Sequence, residues 1–278
     1  MTTTRIRLCD SPVDLMHLQD ALELISSRFT DAAARPLGVA SVNLDHLYHF
    51  GNAGDSHGVP LDDDESAPVE WLHLIDGAPI AAAASRTTHD HWPRLAGSDL
   101  IDPILACAER SGATVGFLGG FTDTHAMLVP RLAVRHPSLR LVGCWAPAPT
   151  ELADDDACRV IAGEIAARGV DVLVVCLGKP RQEHWIEQYG PLTGAHVLLA
   201  FGAVVDFLSG RIRRAPRWVA DHGFEWAWRL GLEPRRLASR YLVRGPVEYV
   251  ALRRSVTTIP GDAAAMSARA LRTAGAYV

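Results

Sequence analysis

Val172-Leu173-Val174-Val175-Cys176-Leu177 runs into Gly178-Lys179-Pro180-Arg181-Gln182-Glu183-His184-Trp185. Six apolar residues without alternation suit a strand covered on both faces, as in the middle of a parallel sheet. Glycine and proline then break the strand, and Arg181–Tyr189 has amphipathic helical spacing. Outward from this unit, short apolar runs stand at Leu37–Val42, Trp71–Ile75, Thr114–Leu118, Leu139–Cys144, Val170–Leu177 and His196–Phe201. Helical patterns alternate with them at Val13–Arg28, Leu100–Ser111, Thr124–His136 and Asp155–Arg168. The alternation predicts an α/β fold: a Rossmann-like, mostly parallel sheet with helices on both faces.

The α/β pattern stops near Gly210. Three regions follow from this: an α/β body over 1–210, an Arg/Trp-rich helical appendage over 211–255, and an Ala-rich tail over 256–278. Gly51–Pro68 is polar and acidic, with little to bury, and reads as a mobile loop.

Charge separates the regions. Residues 211–255 hold eleven Arg against four acids, a net of +7, whereas residues 1–210 have a net of −13. Lys179 is the sole lysine. A coding bias toward arginine explains Arg in place of Lys but not the clustering. A cationic segment on an anionic body points to an anionic ligand or surface, and the guanidinium fork suits phosphate.

Of 278 residues, 48% are hydrophobic, enough for a packed core. The five cysteines are widely spaced, without a CxxC, as expected of a reducing compartment. The N-terminus does not read as a signal peptide. No apolar run approaches the ~20 residues of a spanning helix, so any membrane contact would be peripheral.

Parallel sheets bind ligands beyond the carboxyl ends of their strands. Three such ends carry chemistry: Asp76-Gly77, Gly119-Gly120, and Gly178 through Glu183. Neither a dinucleotide fingerprint nor a Walker loop is present, which argues against a dinucleotide oxidoreductase. Asp76 can be read as a general base facing the crevice or as a turn aspartate capping the next helix. Lys179 can be read as a phosphate contact or as a surface turn residue. His89-Asp90-His91 offers no third metal ligand, and His46 and His49 read as partly exposed helix residues. Asp154-Asp155-Asp156 and Asp62 through Glu65 read as helix N-termini or solvated charge. No metal and no cofactor are expected. Nucleic acid is not an expected partner, because no groove-reading motif or stacking platform accompanies the basic segment.

Over roughly residues 35–245 the chain resembles the WecG/TagA/CpsF family of bacterial glycosyltransferases. The resemblance rests on ordered pieces: Ser41-Val42-Asn43, Asp76-Gly77, Gly97-Ser98-Asp99-Leu100, Phe117-Leu118-Gly119-Gly120 and Gly178 through Trp185. The C-terminal block with Asp206, Arg214, Trp218, Trp226, Trp228, Arg229, Arg235, Arg236 and Arg240 completes it. It implies inverting transfer of a hexose, of the N-acetylmannosamine type or related, from a UDP-sugar to a polyprenyl-diphosphate-linked sugar. The implied setting is cell-surface polysaccharide or teichoic acid synthesis, cytoplasmic and peripheral at the inner face of the membrane. Asp76 matches the strand-end base. Ser41, Asn43, Gly77, Gly119, Gly120, Lys179, Gln182, Glu183 and Asp206 become substrate-binding candidates. Arg214, Arg229, Arg235, Arg236 and Arg240 become candidates for neutralising the departing UDP.

The chain departs from the family pattern at Val42 and Ile75, where proline is common, and in the acidic loop and the tail. A non-catalytic nucleotide-sugar or polyanion-binding module is the alternative. Both a monomer and a homo-oligomer stay open.

Overall fold

The computed structural model describes residues 4–31, 34–51, 66–212, 215–216, 219 and 225–255, the side chains of Glu225 and Arg236 excepted. The expected 51–68 loop falls almost wholly outside these residues, as do Arg214, Trp218 and the 256–278 tail.

An eight-stranded sheet runs in the order β1-β2-β4-β3-β8-β7-β5-β6. The strands are β1 Thr4–Leu8, β2 Ser11–Leu15, β3 Leu37–Val42, β4 Glu70–Ile75, β5 Thr114–Gly119, β6 Arg140–Trp145, β7 Val172–Cys176 and β8 Val197–Ala200. Every pairing is parallel except β1 with β2. The fold is thus mixed α/β, with a central sheet and flanking helices. The opening strand β7 lies between β5 and β8, and all five of its residues are buried.

Alternation along β7 divides the core. Val172 and Val174 face one apolar layer, with Phe117, Leu100, Ile104 and Leu128. Leu173 and Val175 face the other, with Ile161, Trp185 and Ile186. The first layer is covered by α1 Leu18–Ser27, α4 Gly97–Ser111, α5 Thr122–Arg135 and α8 Val204–Leu208; α6 Asp155–Ala167 and α7 Arg181–Tyr189 cover the second. A third cluster joins the β1–β2 hairpin to α2 Leu44–Phe50 and α3 Ala78–Thr88. Leu252 enters that cluster from the C-terminal helix Gly245–Arg254.

The hairpin is a departure from the sequence reading, which begins a helix at Val13. Val13, Asp14 and Leu15 belong to β2, and α1 starts only at Leu18. Cys9 and Asp10 make the two-residue turn with φ of 50° and 61°, and Leu8 pairs with Ser11. Turns of this kind favour Asn-Gly or Asp-Gly, so Cys-Asp gives little warning of one. Asp14 is buried on its strand because Arg5 Nε and Nη2 donate to its two oxygens at 2.7 and 3.0 Å, and the His73 N–H donates at 2.7 Å. A carboxylate satisfied in this way tolerates burial.

Close approach across the sheet fixes one glycine. A Cβ at Gly38 of β3 would lie 2.7 Å from the Trp71 ring. That ring is buried and its Nε1–H donates to Glu187 Oε2 at 2.7 Å, so it has little freedom to yield. Gly38→Ala is expected to destabilise the fold by about 1–3 kcal/mol through overpacking. Urea unfolding measures this, and an unchanged midpoint would mean that the ring can move.

Candidate active site

Four strand ends meet at the carboxyl edge, and one run of polar contacts crosses them. Asp76 directly follows β4, and its N–H donates to Val42 O at 2.9 Å, which sets it beside the end of β3. Asn43 follows β3 and is the N-cap of α2: its Oδ1 accepts from the His46 N–H at 3.1 Å. That bond assigns the amide orientation, because Nδ2 is then left to donate to Asp76 Oδ2 at 2.8 Å. Asp76 stands one residue before Gly77, the N-cap of α3.

The same first turn of α2 reaches the end of β7. His46 is fully buried, and its Nδ1 lies 3.4 Å from Lys179 Nζ. An ammonium has no acceptor, so Nδ1 must accept and the ring proton belongs on Nε2. Lys179 Nζ also donates to Glu183 Oε1 at 2.7 Å, one helical turn further on. The Lys179 and Glu183 side chains are only 6% and 0% exposed, so this is a buried ion pair. Gln182 is buried as well: its Nε2 donates to Ala200 O at 2.7 Å and to Glu183 Oε1 at 3.1 Å, and its Oε1 accepts from the Gly178 N–H at 3.1 Å. Asp76, Asn43, His46, Lys179, Glu183 and Gln182 therefore link the ends of β4, β3, β7 and β8. Of these six only Lys179 lines a cleft of about 470 Å³, which lies on the α6 and α7 side with Leu152, Leu177, Arg181, His184 and Tyr189 in its wall.

At the end of β5, Gly119 and Gly120 have φ of 97° and 84°. A Cβ at Gly119 would lie 2.5 Å from Cys176 O, so this turn accepts only glycine. His125 backs it, with Nε2 2.8 Å from Gly119 O. The sequence reading missed His125; its one signal is a His a single turn into the helix after a double glycine.

The other candidates spread outward. Ser41 is buried on β3, and Asp206 lies in α8. The Arg229 guanidinium lies over the Phe207 ring at 5.4 Å to its centroid, and Arg235 is exposed. Arg240 Nη1 stands 3.4 Å from Asp45 Oδ2, and Arg244 lies over Tyr48. The basic segment therefore rests on α2, the helix that Asn43 caps. Trp226 is 43% exposed, while Trp228 is half-buried. Asp154 caps α6, as the acidic triplet suggests. His46 is the clear correction: the expected partly exposed histidine is at the centre of the buried network.

Comparison with known proteins places these features in a family. The model of the glycosyl transferase WecG/TagA/CpsF family matches residues 6–259, and the chain belongs to that family. The N-acetylglucosaminyldiphosphoundecaprenol N-acetyl-beta-D-mannosaminyltransferase of Bacillus subtilis (strain 168) is 28% identical over 163 residues, 59% of this chain and 61% of that protein. A protein of the same name from Bacillus spizizenii (strain ATCC 23059 / NRRL B-14472 / W23) is 31% identical over 163 residues, again 59% of this chain and 61% of the relative. The match thus spans less than two thirds of these relatives' length.

The buried histidines make stability depend on pH. Burial, then the charge of Lys179, holds His46 well below its ordinary 6.5; burial, then Arg5, does the same for His73. Below about pH 6.5 the unfolded chain takes up protons that these two rings refuse. Their contribution is complete above that pH and is lost as pH falls, by about 1.4 kcal/mol per unit for each ring. Unfolding free energies between pH 7.5 and 5.5 should show this slope, and His73→Leu should remove part of it. An equal slope in the variant would contradict the assignment.

Proposed function

We propose, with membership of that family as the premise, that the chain is an inverting glycosyltransferase using a UDP-sugar. The names of the two relatives make an N-acetylmannosamine donor and an N-acetylglucosamine diphosphate polyprenol the first substrates to try. The observation that carries the reading is Asp76: a carboxylate at a parallel strand's carboxyl end, with one oxygen held by Asn43. In this reading the acceptor hydroxyl gives its proton to Asp76 as its oxygen attacks the anomeric carbon. The bond from that carbon to the UDP oxygen breaks on the opposite face, and the electron pair leaves with the diphosphate.

The growing negative charge needs fixed donors. Arg214, Arg229, Arg235, Arg236 and Arg240 are the proposed set, with the Gly119-Gly120 turn offering backbone N–H groups at the same edge. The acceptor's lipid implies work at a membrane surface. Exposed Trp226, Leu242, Val243 and Val247 lie among the arginines of the C-terminal segment, the composition of a peripheral contact.

UDP release from a panel of UDP-sugars, with and without a short-chain acceptor lipid, tests this in wild type and Asp76→Asn. Acceptor-dependent release should fall about 10²–10⁴-fold in the variant while UDP binding persists. Equal release would move the base elsewhere. UDP binding without turnover of any donor would favour the binding module.

A further inference from the structure

Lys179 is the sole lysine of the chain; it borders the cleft, yet its side chain is only 6% exposed. A phosphate contact would be expected to keep its ammonium on the crevice. Here two of its three donors are engaged, by Glu183 Oε1 at 2.7 Å and His46 Nδ1 at 3.4 Å. His46 is in the first turn of α2, and its N–H is the one capped by Asn43, the residue that holds Asp76 Oδ2. The ammonium is thus three contacts from the carboxylate, and the ring nitrogen on the far side, His46 Nε2, is buried with no hydrogen-bond partner among the described residues. Neutral His46 must present Nδ1 to Lys179, and Asn43 must present Oδ1 to His46 before Nδ2 can reach Asp76.

We propose that Lys179, anchored by Glu183, is a positioning residue that acts through His46 and Asn43 to aim the Asp76 carboxylate, and that it does not bind donor phosphate. The proposal rests on Asp76 being the base in the reading above. A small error in the direction of a general base costs rate in the chemical step and leaves donor binding alone.

Three variants isolate the effect. Lys179→Met/Glu183→Gln removes both buried charges together, so that neither is left uncompensated. His46→Leu cuts the link and keeps the ion pair. His46→Gln keeps a side-chain acceptor for the ammonium. Measured quantities are kcat, donor KM, the Kd of UDP, and the side-chain amide resonance of Asn43, identified by its loss in Asn43→Ala.

The first two variants should lower kcat by up to about a hundredfold. Donor KM and UDP Kd should stay within about twofold of wild type. His46→Gln should recover most of the rate. The Asn43 amide resonance should move in the first two variants, and the charge-free double variant should cost nothing more in an Asn43→Ala background. A normal kcat with UDP binding weakened about tenfold would make Lys179 a phosphate contact and overturn the proposal. So would an unchanged kcat with an unmoved amide resonance. Should wild type turn over no donor, the glycosyltransferase reading fails by itself, and the amide resonance alone decides whether Lys179 controls Asn43.

Discussion

Asn43 has two hydrogen-bonding ends, and the carboxyl edge of the sheet is organised by the use of both. One end closes the first turn of α2; the other reaches the carboxylate that follows the neighbouring strand. A cap is a local event, worth on the order of 1 kcal/mol to a helix. Here the cap also fixes a distance between two strands, because Asn43 ends β3 and Asp76 ends β4. The six-residue parallel register of those strands keeps the two groups at one level. Rigidity in the sheet is thereby converted into direction for a side chain.

The apolar layers explain why the polar groups at this edge turn to one another. Every residue of β3, β5, β7 and β8 is buried, so polar groups just beyond their ends have little water to turn to. Gln182 shows the result: both its ends are engaged, one with the turn after β7 and the other with the end of β8. A buried amide with all its partners present locks two strand ends together, and one with a partner missing would cost more than it gave.

Much of this was legible in the sequence, and the rest was hidden for specific reasons. The unbroken apolar run in β7 announced a central parallel strand, and Asp76-Gly77 announced a polar strand end. The hairpin at Cys9-Asp10 was hidden because neither residue is the usual occupant of such a turn. His46 was misread because its partner is 133 residues away, and periodicity on a seven-residue helix cannot report a contact made by tertiary packing. Gln182 and Glu183 stand out in the sequence as polar residues at a strand end, but their burial does not; a hydrogen-bonding side chain looks the same in sequence whether it faces a ligand or its own backbone.

The burial of the single lysine has a consequence for the rest of the surface. Residues 211–255 contain no lysine and one histidine, so the positive charge of that segment is carried by guanidinium. Guanidinium keeps its proton at any pH a protein survives, and it offers no amine for acylation. The segment's charge is therefore that of a fixed electrode: its pull on any anion would respond to ionic strength and to the anion's own protonation, with little change of its own arginine charge.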